Sequence, residues 1–131
     1  MFAPLISVLL MPFMSANASP WQGFESGEYF VIMRHAVATG ISDPANFQLG
    51  DCSTQRNLSD EGRQQARNLG ALLKLNGIET ADVYSNQWCR CAETPKLLDL
   101  GDVTALPALN SFFETPARAA NQTAELSAVL K

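Results

Sequence analysis

The sequence predicts an α/β fold with crossover connections and a largely parallel sheet, and three observations carry that prediction. Residues 29–33 (YFVIM) form an unbroken apolar run of β-favouring side chains. The segment from Ser59 to Gly77 opens on an N-capping serine followed by two acids and closes on Asn76-Gly77, as a capped helix does. Two further strand-and-helix pairs then follow in alternation. Strands alternating with helices are joined by crossovers, which makes neighbouring strands parallel.

The first eighteen residues (MFAPLISVLLMPFMSANA) carry no charge, are apolar as far as Met14 and end on Ala16-Asn17-Ala18. Small residues in that pattern suit a signal peptidase, so residues 1–18 are expected to be a signal peptide cleaved after Ala18. The leader lacks a basic start. It is too short, and too interrupted by Pro4 and Pro12, to act as a membrane anchor. The domain proper would run from residue 19 to residue 131, exported to an oxidising compartment such as a bacterial periplasm.

After a lead-in containing glycine, residues 29–33 suit a strand buried on both faces at the centre of a parallel sheet, because they lack polar alternation. Residues 36–57 read as a loop, with Gly40, Pro44, Asn46 and Gly50 spread through them. In the helix that follows, Ser59 is the N-cap and Asp60 and Glu61 complement the positive end of the dipole. Ala66, Leu69, Gly70, Leu72 and Leu73 make its apolar stripe, with Arg63, Gln64, Arg67 and Asn68 facing water. Residues 81–85 (ADVYS) read as a second strand, and residues 86–101 as a second helix starting near Asn86. Residues 103–106 (VTAL) read as a third strand. The closing stretch, residues 123–131, has a helical stripe of Leu126, Val129 and Leu130.

Composition narrows the function. Hydrophobic residues at 47% and charged residues at 17% describe a globular chain with enough for one domain. A net charge of −4 and a pI near 4.8 argue against a nucleic-acid partner or an anionic membrane surface. In an oxidising compartment Cys52, Cys89 and Cys91 supply one disulfide and one leftover thiol, and Cys89 and Cys91 are too close to pair with each other. The bridge is therefore expected from Cys52 to one of those two. A metal site is not expected, since Cys89-Arg90-Cys91 lacks ligand spacing and the chain has one histidine.

That histidine, His35, follows Arg34 at the carboxyl end of the best strand candidate, where sheets of this class bind ligands. A neutral imidazole attacks phosphorus if cations hold the phosphoryl group, and the planar fork of arginine suits that task. Arg90 falls at the start of the helix after the second strand, again at the carboxyl edge. The competing reading pairs Arg90 with Glu93 or Asp51 as a structural ion pair.

Three motifs in order, VIMRHA (residues 31–36), NLSDEGRQQARNLGALL (residues 57–73) and DVYSNQWCRCAET (residues 82–94), resemble the histidine phosphatase superfamily, the phosphoglycerate mutase-like proteins. The matching residues are Arg34 and His35, then Leu58, Ser59, Gly62, Gln65 and Ala66, then Ser85, Arg90 and Thr94. The resemblance spans residues 29–100. It implies a three-layer α/β/α fold with His35 as the nucleophile, transiently phosphorylated, and with Arg34 and Arg90 binding the phosphate. It also implies a small phosphorylated substrate and no metal or other cofactor. An acid after the third strand protonates the leaving group in that family, and Glu114 is the nearest one here.

The chain departs from the family pattern in three ways. Ala36 stands where glycine is commoner, and Pro95 falls inside the second helix, forfeiting a bond to the Cys91 carbonyl. The family's second catalytic histidine is absent, and the chain reaches Lys131 on a helix where its strand would come next. A truncated member is the implied reading, poorly folded or nearly inactive in isolation. The alternative function is a catalytically dead phosphoanion-binding module, or a structural remnant of such an enzyme.

Overall fold

Helix α1 (Gln22–Glu25) is the first element of the computed structural model, which describes residues 21–131. The leader predicted over residues 1–18 lies outside the described residues. Phe24 leans on Trp21 and on Tyr29, with ring centroids 5.9 and 6.3 Å apart.

The expected first strand does not form. Residues 29–33 join no ladder among the described residues, and their side chains lie between 45% (Met33) and 67% (Ile32) exposed. An apolar β-favouring run becomes a strand only against a partner. The two strands that do form, β1 (Val83–Ser85) and β2 (Val103–Ala105), pair with each other instead. They are parallel, with Val83 opposite Val103 and Ser85 opposite Ala105, and helix α3 (Cys89–Leu98) connects them. The described chain is thus mixed α/β, with a two-stranded parallel sheet.

Helix α2 (Asp60–Leu75) forms where its caps predict it. The Ser59 hydroxyl accepts from the Gly62 amide at 3.0 Å, and the Asn76 amide closes the far end on the Leu72 and Leu73 carbonyls. Its stripe is narrower than expected: Ala66 and Gly70 are buried, whereas Leu72 is 50% exposed. Two glycines permit its close packing. A Cβ on Gly62 would collide with the Val37 carbonyl, and one on Gly70 with the Leu98 carbonyl. Arg63 does not simply face water, because its Nε donates to Glu93 of α3 at 2.6 Å.

Helix α3 starts at Cys89 rather than Asn86, with extended Trp88 as its N-cap, and stops at Leu98 rather than running to Gly101. Asn86 holds the turn open before it, its side-chain oxygen accepting from the Trp88 amide at 3.0 Å. Asp99, left-handed at φ 56°, ends the helix and forms an ion pair with Lys74 of α2. Pro95 lies buried inside α3 as expected.

Helix α4 (Ala119–Val129) begins earlier than expected, and its contact is polar rather than apolar. Val129 and Leu130 are 48% and 40% exposed, while Gln122 is buried and donates to the Ala108 and Asn110 carbonyls of the turn after β2. That turn offers unpaired carbonyls, and an amide side chain satisfies them where leucine could not.

The largest buried apolar cluster is Ala36, Leu58 and Ala66, flanked by Ala38 and Leu97. It lies where the segment after His35 meets α2 and α3, immediately behind the candidate site. Among the described residues no helix is long and apolar enough to cross a membrane.

Candidate anion site around His35

The unpaired run ahead of His35 gives way to a firmly held segment after it. The Ala36 amide donates to Thr94 Oγ1 of α3 at 3.1 Å, and the Val37 amide donates to Gln65 Oε1 of α2 at 3.0 Å. The Val37 carbonyl accepts from the Ser59 amide at 3.0 Å, and Ala38 bridges Leu58 in antiparallel fashion. Thr94 Oγ1 in turn donates to the Arg90 carbonyl at 2.8 Å, so one hydroxyl links the backbones of the two predicted site segments. Leu58, Ser59, Gly62, Gln65, Ala66 and Thr94 therefore share one task, which is to seat residues 36–38.

His35 is half-buried, and its Nδ1 lies 2.6 Å from the Ala36 carbonyl oxygen. A carbonyl only accepts, so Nδ1 carries the proton and the neutral ring leaves a bare lone pair on Nε2. Partial burial pushes the imidazole pKa below its ordinary value. The Ala36 carbonyl pulls it back up, and the charges of Arg90, Arg34 and Arg56 push it down further. Three cations thus act on the one imidazole and favour its neutral, nucleophilic form.

Arg34 is exposed and makes no hydrogen bond or ion pair among the described residues, so its guanidinium is available to a ligand. Arg90, in the first turn of α3, is held. Its Nη1 donates to Asp43 Oδ1 at 2.7 Å and to the Arg56 carbonyl at 3.1 Å, and its Nη2 donates to Asp43 Oδ2 at 3.2 Å. The pair is well covered, with side chains 13% and 19% exposed. The partner of Arg90 is therefore Asp43 and neither Glu93, which binds Arg63, nor Asp51, which caps its own turn at Ser53.

Asp43 collects two further donors, the Arg56 amide at 2.9 Å and Trp88 Nε1 at 3.2 Å. Burial alone would raise the pKa of its carboxyl. The bonds from Arg90, the Arg56 amide and Trp88, with the Arg90 charge, hold it below the usual range instead. Phe47 stacks on Trp88 at 5.4 Å and covers this side of the loop. Arg56 Nη1 donates to the Ala38 and Gly40 carbonyls at 3.1 and 2.9 Å, closing the loop behind His35.

Sequence reasoning missed Arg56 and Asp43. Asp43 precedes Pro44 and looks like a turn residue, and Arg56 falls on no periodic face. Only their proximity to Arg90 distinguishes them, and that comes from tertiary structure. Cys52 bonds to Cys89, tying the same loop to the residue beside Arg90, while Cys91 stays free with its thiol pKa raised by burial. That bridge is compatible with an oxidising compartment.

Glu114 lies exposed in the turn of residues 112–115, and the charges that act most on His35 are those of the three arginines. A surface hollow of about 360 Å³ lies elsewhere, bordered by Ser85, Asn86, Gln87 and Lys96. Ser85 spends its hydroxyl on the Asn86 carbonyl, and among the described residues no histidine or carboxylate lines that hollow, so the cations at His35 are the better site. No family model matches the chain, and neither a curated protein nor a solved structure does.

Proposed function

We propose that the chain is a phosphomonoester hydrolase of the histidine phosphatase type, working through a phosphohistidine on His35 in an exported, three-layer α/β/α domain. The observation that carries this reading is the neutral His35 ring, with Nδ1–H on the Ala36 carbonyl and Nε2 bare, in the field of Arg34, Arg56 and Arg90. Nε2 attacks phosphorus and the ester oxygen departs with a proton. Water then attacks the phosphohistidine, releasing phosphate and restoring the ring. Arg34 and Arg90 offset the charge that builds on the phosphoryl oxygens. Glu114, exposed in the turn of residues 112–115, is the acid that protonates the departing ester oxygen.

The test is hydrolysis of p-nitrophenyl phosphate by the full chain, together with trapping of an acid-labile phosphate on it. Both signals should vanish in His35→Ala. Turnover that survives the substitution rules the mechanism out.

One observation favours a second reading, a phosphoanion-binding module without turnover: the Arg34 guanidinium is exposed and unbonded among the described residues. Such a module would gain thermal stability with inorganic phosphate, lose that gain in Arg34→Ala, and hydrolyse nothing.

A further inference from the structure

We propose that Asp43 is the positioning residue of the phosphoryl clamp, holding Arg90 in one orientation so that Arg90 gives the anion a fixed charge and at most one hydrogen bond. The proposal rests on the phosphatase reading of this site and adds a division of labour between its arginines.

The count of hydrogens leads to it. Both hydrogens of Arg90 Nη1 are used, on Asp43 Oδ1 and the Arg56 carbonyl, and one hydrogen of Nη2 is used on Asp43 Oδ2. Arg90 Nε is buried and has no partner among the described residues. Two hydrogens remain, one on Nη2 and the one on Nε, and protein covers the Nε atom. Asp43 takes the Nη1–Nη2 edge of Arg90 and burial covers Nε on the other, so Arg90 cannot offer a phosphoryl group a two-pronged fork, and the exposed Arg34, whose fork is unbonded, is the residue able to do so.

Asp43 stays in place because it is held from three directions. It accepts from the Arg90 guanidinium, from the Arg56 amide and from the Trp88 indole, across a loop stapled by Cys52–Cys89. Displacing it would orphan these donors in a covered site, where an unmade charged hydrogen bond is costly. Asp43 is thus no stand-in for substrate that departs when phosphate arrives. It is the fixed anchor against which Arg90 is aimed.

The two roles give opposite results in Asp43→Asn, which keeps the shape of the side chain but gives up one of the two oxygens that hold the Arg90 fork. A positioning role lowers kcat for p-nitrophenyl phosphate roughly 10- to 100-fold, with a smaller change in KM. It also predicts weaker binding of inorganic phosphate and partial recovery in Asp43→Glu. Tighter phosphate binding in Asp43→Asn, or unchanged kinetics beside an active wild type, overturns the proposal. A wild-type chain that neither turns over the ester nor binds phosphate overturns the phosphatase reading and this one with it. Because the variant could misfold, a second measurement uses the unaltered full chain. Side-chain nitrogen NMR of Arg90 should show hindered guanidinium rotation both without and with saturating inorganic phosphate. Rotation that becomes free on adding phosphate overturns the proposal.

Discussion

His35 and Asp43 both have acidities displaced in the same direction, and their consequences for stability add. An imidazole whose pKa is lowered by folding binds a proton more readily in the unfolded chain, so the folded state loses ground as pH falls below the ordinary imidazole value. A carboxyl held below its usual range contributes stability that is full at neutral pH and is lost as pH falls through its folded value. The thermal midpoint should therefore decline on acidification in two stages, the first setting in below about pH 6.5 and the second below about pH 4. In His35→Asn the first stage should disappear while the second remains; a two-stage curve in that variant would contradict the assignment. For the phosphatase proposed above, kcat/KM should hold to a lower pH than a free imidazole would allow, read from the acid limb of the rate profile. Of these residues the sequence singled out Arg34, His35 and Arg90, the first two at the end of an apolar run that joins no sheet among the described residues and the third in the first turn of α3. Asp43 and Arg56 were not legible, because a loop residue's partners are set by how the loop folds back, and no period records that.

At the level of elements, the capped helix was the most legible part, since caps and dipole residues act within one or two turns. Helix α2 starts and stops within a residue of its expected bounds. Its motif glycine carries a sharper consequence than propensity suggests. Gly62→Ala should improve helix propensity, yet its Cβ would meet the Val37 carbonyl. The expected outcome is a net loss of about 1–3 kcal/mol in denaturant unfolding, with residues 36–38 displaced from their seat. Ser59→Ala should cost about 1 kcal/mol through its lost cap. The disulfide joins loop to helix across a sequence separation of 37 residues, and replacing both Cys52 and Cys89 by serine should cost about 2–4 kcal/mol. Phosphate affinity should fall as well, since the bridge adjoins Arg90; unchanged affinity would show that Asp43 alone holds the clamp. The strands were legible only in part. β1 and β2 form in parallel register, while residues 29–33, the most β-like run, pair with nothing among the described residues. Local pattern gives an extended apolar segment, and only a neighbouring strand turns it into sheet.

On the scale of the whole molecule, the described chain exposes one continuous apolar stretch, the kind of surface that marks a contact site or an aggregation liability. Tyr29, Phe30, Val31 and Ile32 are each more than half exposed, just ahead of the catalytic candidate. Ile32→Lys should therefore reduce binding of a hydrophobic dye and slow aggregation without lowering the thermal midpoint; a lower midpoint would mean that Ile32 is packed in solution. The segment that follows behaves in the opposite way. The amides of Ala36, Val37 and Ser59 are bonded to Thr94, Gln65 and the Val37 carbonyl, whereas among the described residues no backbone bond reaches residues 29–33. The chain thus crosses, at Arg34 and His35, from backbone that trades its hydrogens with solvent at nearly the unprotected rate to backbone that does so only through opening of the packed helices. Deuterium uptake should show that step between residues 33 and 36, and it makes the exposed arginine and the seated histidine neighbours in sequence that belong to two different clocks.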